Sequence, residues 1–218
     1  MSIGEFFQVK RVNVRFQWET IRRYYRKGPL FALADICLGL ASLFFNPYRI
    51  ARKRGYIYGE TPPSSLQRIA SFCDLAASDS WLELGSGRGK GCFWVAQFIG
   101  CRTIGVEKVP LFFHVAKWIG ACFFPRLTFL NADMADADFS EATFVYLYST
   151  CMGEDALRTL AEKMKALPQG AKVVSVSAPL PEAPHLKRAG SFPLSFPWGE
   201  TEGYLHLFTL GDAGDEGL

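Results

Sequence analysis

Residues 81–91 read WLELGSGRGKG, and no other stretch limits the fold as tightly. Glycines stand at 85, 87, 89 and 91, behind the apolar pair Trp81-Leu82 and ahead of the apolar run from Phe93 to Ala96. A short buried strand must therefore turn sharply into a helix, with backbone left bare where something comes close to it. The rest of the chain repeats this alternation. SWLELG, RTIGVE, LTFLNAD, TFVYLY, AKVVSVS and GYLHLFTL read as strands. Residues 64–73, begun by Ser64-Ser65 as a cap, and 90–99, 110–122 and 153–167 read as helices. Short apolar strands separated by helices predict a mostly parallel sheet covered on both faces, a doubly wound α/β fold. Ligands of such sheets bind beyond the carboxyl ends of the strands, where the glycine motif lies.

The chain divides into a basic helical extension over 1–55, a regular domain over 56–210 and a tail, 211–218, whose composition suits disorder. Residues 1–60 hold 11 Lys+Arg against 4 Asp+Glu, a balance of +7, whereas the remainder is mildly acidic. That asymmetry points to an anionic partner. An amphipathic helix over 14–27, with Phe16, Ile21 and Tyr24 on one side, is broken at Gly28-Pro29. The following run, 30–45, is apolar apart from Asp35. It is shorter than the roughly 20 residues of a membrane-spanning helix, and its carboxylate is unfavourable in lipid. It reads either as a helix packed on the body or as a membrane-associated helix flanked by RRYYRK and RIARKR, in which case 14–54 would bind an anionic membrane surface. The first residues lack a continuous apolar segment, so no signal peptide is expected and the cytoplasm, with or without membrane association, is the expected location. Nucleic acid is not indicated.

The glycines distinguish among ligands. A nucleoside triphosphate needs GxxxxGK[ST], and here Gly89-Lys90 is followed by Gly91 while Leu stands at 84. A dinucleotide needs GxGxxG, and Lys90 takes the third position. S-adenosylmethionine needs an acidic residue on the strand followed by GxGxG, which Glu83-Leu84-Gly85-Ser86-Gly87-Arg88-Gly89 supplies. Glu107, at the end of the second strand, suits the ribose hydroxyls, because a carboxylate accepts two hydrogen bonds. Asp133, after the third, suits the adenine amino group, with Met134 to pack on the ring.

With these three sites in place, the sequence resembles the class I S-adenosylmethionine-dependent methyltransferases, whose Rossmann-like fold implies a seven-stranded, mostly parallel sheet. Over roughly 56–208 it resembles the non-SET histone lysine methyltransferases of the disruptor-of-telomeric-silencing type. YGET at 58–61 looks like that family's loop over the cofactor, which implies contacts from Tyr58, Glu60 and Thr61. LELGSGRGK and GVEK, the latter with Lys108, are similar to its next two motifs, and VVSVSAP resembles a later strand. Trp198 and YLH at 204–206 look like residues of its substrate channel. The family's Asn-Asn pair after the fourth strand falls here on Leu147 and Tyr148, a departure that bears on the substrate.

The resemblance implies methyl transfer to a protein lysine. Such a channel favours the neutral amine through desolvation and attracts the methylated cation by ring faces. Candidate walls are Tyr148, Trp198 and Tyr204, with Thr61 and Ser149 as small polar groups. The alternatives are a methyltransferase for a small or lipid-soluble substrate at a membrane and a cofactor-binding module without catalysis. The six cysteines show no CxxC spacing, so no metal site is expected; Cys151 reads as a buried thiol. His206 should be structural, and His185, in a Pro-rich loop, exposed.

Overall fold

A computed structural model describes residues 16–55, 57–150 and 152–210. Cys151, the tail 211–218 and the first two residues of the expected basic helix lie outside the described residues. Strands β1 (Ser80–Leu84), β2 (Arg102–Val106), β3 (Thr128–Leu130), β4 (Phe144–Tyr148) and β5 (Lys172–Val176) run parallel. They are joined by β6 (Leu186–Phe196) and β7 (Gly199–Phe208), of which β7 is antiparallel to both β5 and β6. The sheet order is β3-β2-β1-β4-β5-β7-β6. The order reverses beside β1, so the ends of β1, β2 and β4 border one crevice.

Strand β6 has no counterpart among the strand segments read from the sequence. Gly190 and Pro193 mask it, yet Phe192, Leu194 and Phe196 alternate as buried residues. Proline is tolerated there because β6 is the edge of the sheet.

Alternate residues of the central strands point to opposite faces. Trp81, Phe144 and Tyr146 join one core with helices α3 (Pro63–Phe72), α4 (Lys90–Phe98) and α5 (Pro110–Phe123). Leu82, Val145 and Leu147 join the other with α6 (Glu154–Lys163). Helix α3 begins one residue earlier than expected, with Pro62 at its cap. Ser65 therefore lies inside it, and its hydroxyl donates to the Ser195 carbonyl of β6 at 2.6 Å.

The extension contributes a helical segment over 16–25, whose last residues, Ile21–Tyr25, have π geometry, then α1 (Pro29–Phe44) and α2 (Pro47–Lys53). The wider turn breaks the expected stripe: Tyr24 is buried against Trp94 and Phe98, whereas Ile21 faces outward. Gly28 allows the approach to α4, because a Cβ there would lie 2.5 Å from Phe98. Helix α1 packs on α4 and α5 through Phe31, Ala34 and Leu38. Of the two readings of 30–45, packing on the body is therefore observed for one face. No single helix among the described residues is long and apolar enough to cross a membrane; α1 and α2 together pass that test but are bent by 63°.

Candidate functional site

The glycine loop closes over the end of β2. The Gly85 and Ser86 amides both donate to the Val106 carbonyl, at 2.9 Å each, and the Gly87 amide donates to Glu107 Oε2 at 2.8 Å. Gly87 has φ +56°, and a Cβ on it would press on the Tyr58 ring at 3.3 Å. Gly91 serves differently: a Cβ there would lie 2.6 Å from both Glu83 carboxylate oxygens. Gly85 faces Met134 across the cavity, whereas Gly89 faces the core at Phe129. The glycine at 89 thus makes room for helix packing rather than for a ligand.

These elements border a cavity of about 390 Å3. Glu83, Glu107 and Asp133, from three successive strand ends, all line it, as do Gly85, Ser86, Gly87, Lys108 and Met134. Tyr58, Glu60 and Thr61 line it from the loop before α3, and Tyr148 from the end of β4. Glu83 is buried, and its pKa is pushed up to about 7, chiefly by desolvation. The carboxylate has only weak donors to oppose this, Cys92 Sγ at 3.2 Å and Trp81 Nε1 at 3.4 Å. Ser86 Oγ is buried without a hydrogen-bond partner among the described residues. Glu107 is also raised by burial, opposed by the amides of Val109 at 2.7 Å and of Gly87. Asp133 is lowered, first by the Ala135 amide at 3.1 Å and also by Lys108 at 3.1 Å.

Arg88 and Lys90 tie this loop to the extension, and neither was singled out from the sequence. The buried Arg88 guanidinium reaches Glu60 at 2.6 Å, the Tyr58 hydroxyl at 2.9 Å, the Leu38 carbonyl at 2.9 Å and Ser42 at 2.7 Å. Lys90 pairs with Asp35 at 2.8 Å, and Tyr25 donates to the same carboxylate at 2.8 Å. Burial works against ionisation of Glu60, but Lys90 and Arg88 outweigh it and hold its carboxyl low. The lone acidic residue of an apolar run was the signal that a cation awaited it.

The acceptor-side candidates are brought together only in part. Thr61 and Tyr146 hydroxyls meet at 2.5 Å on the cavity wall. Tyr148 contacts Phe196 and Trp198, with ring centroids at 5.5 and 6.4 Å. Trp198 sits in the β6–β7 turn over Gly59, whose Cβ position lies 2.8 Å from the indole. It lines a second cavity of about 640 Å3, which shares Glu60, Thr61 and Lys90 with the first and is walled opposite by Ile36 and Tyr48. Tyr204 pairs with Ser175 and Ser191 across the sheet and lines neither cavity. Ser149 is buried, its hydroxyl 2.6 Å from the Val176 carbonyl and 2.9 Å from that of Ala178, so it clamps β4 to the loop after β5. His206 is buried on β7. His185 is buried rather than exposed, because its ring packs on Phe208 and Nε2 meets the Ala161 carbonyl at 2.8 Å. No cluster of three or more His, Cys, Asp or Glu residues able to hold a metal occurs among the described residues.

A family model described as Histone methylation protein DOT1 matches residues 46–147. A histone-lysine N-methyltransferase specific for H3 lysine-79 from Dictyostelium discoideum is 24% identical over an alignment of 141 residues that covers 57% of this chain and 8% of that protein. Among solved structures, an RNA methyltransferase from Salinibacter ruber in complex with S-adenosyl-L-homocysteine has a TM-score of 0.56 at 26% identity, covering 72% of this chain and 100% of that one. TrmN from Thermus thermophilus has a TM-score of 0.61 at 15% identity, covering 69% and 50%. A sheet of this order, a glycine loop at the end of β1 and these likenesses agree with one another.

Proposed function

We propose that this chain, which has the class I methyltransferase fold and resembles DOT1, binds S-adenosylmethionine and transfers its methyl group to a protein lysine. The observation that carries the reading is the convergence of Glu83, Glu107 and Asp133 on one glycine-bordered cavity. The residues fit such a ligand. Glu83 is a buried carboxylate that would gain a cationic amino group as partner. Glu107 keeps lone pairs for two hydroxyls after accepting its two amides. Met134 offers an apolar surface beside Asp133.

When bound, S-adenosylmethionine supplies an electrophilic methyl group for in-line displacement. The chain must align the amine, favour its neutral form and exclude water. Tyr146 and Tyr148 give the β4 side an aromatic wall that disfavours an ammonium, and Thr61 and Tyr146 set a hydroxyl pair beside it. Glu60 is locked to Arg88 and Lys90, so it fixes the loop rather than moving a proton. Where the family has an amide pair, Leu147 is core and Tyr148 is a ring, so orientation of the amine rests on hydroxyls and aromatic faces. Ile36 and Tyr48, exposed yet lining the second cavity, favour a second reading: an acceptor, protein or lipid-soluble, held at a membrane.

Incubation of the full chain with S-adenosylmethionine and cell lysate, followed by mass spectrometry of hydrolysed protein, tests the lysine assignment. Methyl-lysine above the level given by Glu83→Ala is expected. Methylation confined to another side chain would overturn it.

A further inference from the structure

We propose that the outward face of α1, with basic clusters at its two ends, docks this protein on an anionic lipid bilayer. The inference rests on the fold and not on the methyl-transfer reading. A surface helix in water turns its apolar side chains inward and its charges outward. Helix α1 turns its one charge, Asp35, inward to Lys90 and Tyr25. Its outward side chains are Leu30, Leu33, Ile36, Leu40, Leu43 and Phe44, from 41% exposed at Leu30 to 89% at Phe44. Its other polar side chain, Ser42, is bonded to the Leu38 carbonyl and to Arg88. Apolar on both sides, α1 has one side taken by α4 and α5 and the other without a partner among the described residues.

Charge selects the occupant. Arg22, Arg23, Arg26 and Lys27 precede α1, and Arg49, Arg52, Lys53 and Arg54 follow it, all exposed. Among the described residues only Arg23 of these has an acidic partner, Glu19. An apolar stripe between basic ends is complementary to acyl chains beside anionic headgroups. A second copy laid on the same face would set these cations against one another. Trp18 and Tyr48, both exposed, add rings with a polar edge suited to the headgroup level. With 16 residues, α1 is roughly 24 Å long, below the roughly 30 Å of a hydrocarbon core, and the protein covers one side of it. It therefore lies in the plane of the interface rather than across it. The DOT1 match begins at residue 46, so the docking helix is an addition to the shared core.

Flotation of the full chain with vesicles of phosphatidylcholine, with and without phosphatidylserine, tests this at low salt. Binding to the phosphatidylserine vesicles, weaker on neutral ones and weakened by added salt, is expected. Leu40→Glu with Leu43→Glu should lower it by about a hundredfold or more, since two leucines leave the acyl region. The thermal midpoint should stay unchanged, because both side chains face outward. Arg22→Gln and Arg26→Gln should each lower it about fivefold. Absence of flotation at low salt overturns the proposal, whether ultracentrifugation then shows a monomer or a dimer held by this face. Equal binding to neutral vesicles, or full binding by the Leu40→Glu, Leu43→Glu protein, overturns it as well.

Discussion

Along the β1–β3 side of the main cavity the polar side chains are held by nearby backbone. Glu107 takes the amides of Gly87 and Val109, Asp133 takes that of Ala135, and the loop itself hangs from the Val106 carbonyl. Along the β4 side the wall is made of rings and hydroxyls from distant segments: Thr61 on Tyr146, and Trp198 beside Tyr148. One side is a local construction of strand ends, preorganised for a ligand of fixed shape. The other is assembled by tertiary packing from segments distant in sequence.

Arg88 is where this contrast breaks most forcefully, because it fastens the glycine loop to both Glu60 and α1. Arg88→Ala should lower stability by about 3–5 kcal/mol, as removal of one partner from a buried ion pair does, and the thermal midpoint by roughly 6–20 °C. Differential scanning calorimetry reads this directly; a midpoint within a degree or two of the parent would mean that the network is dispensable. Glu107→Ala should act next most strongly, lowering S-adenosylmethionine affinity about tenfold to a hundredfold through lost charge-assisted hydrogen bonds. Isothermal titration calorimetry checks it, and an unchanged affinity removes Glu107 from the ligand's contacts.

Tyr148→Ala sharpens the contrast from the other side. Affinity for S-adenosylmethionine should stay roughly level while methyl incorporation at saturation falls by about tenfold to a hundredfold, the effect of a misaligned acceptor. Weaker cofactor binding with normal incorporation would reverse the roles of the two walls. A separate contrast concerns the pH dependence of Glu83. Its carboxyl is raised from 4.5 to about 7 by burial, so the folded chain keeps a proton that the unfolded chain releases. The stability tied to that proton is present below pH 4.5 and is lost as the pH climbs to about 7. Denaturant unfolding across that window should show the decline, and Glu83→Gln should flatten it. A parallel decline in the variant would assign the pH dependence to another group.

The same contrast explains what the sequence disclosed. Glu83, Glu107 and Asp133 stand at fixed distances from strand ends, so spacing alone brought them to one cavity. The mostly parallel sheet followed from the alternation of strands and helices, but β6 was hidden by Gly190 and Pro193, the proline being tolerated because β6 is an edge. Tyr204 and Ser149 sit on or beside the expected strands, yet their partners, Ser175 and Ser191 for one and the Val176 carbonyl for the other, are set by sheet register, which local pattern does not specify. Asp35 and Lys90 meet across 55 residues, and Arg88 takes the Leu38 carbonyl, a contact with no side-chain signature.

The central claim is that the aromatic side of this cavity receives a protein amine. Incubation of the purified full chain with methyl-tritiated S-adenosylmethionine and cell lysate, followed by separation into protein, lipid and RNA, measures it most directly. The account predicts label in protein that survives mild alkali, as an N-methyl group does and a methyl ester does not, and label reduced about tenfold or more by Tyr148→Ala. Label confined to the lipid or RNA fraction, or base-labile label in protein, would contradict it.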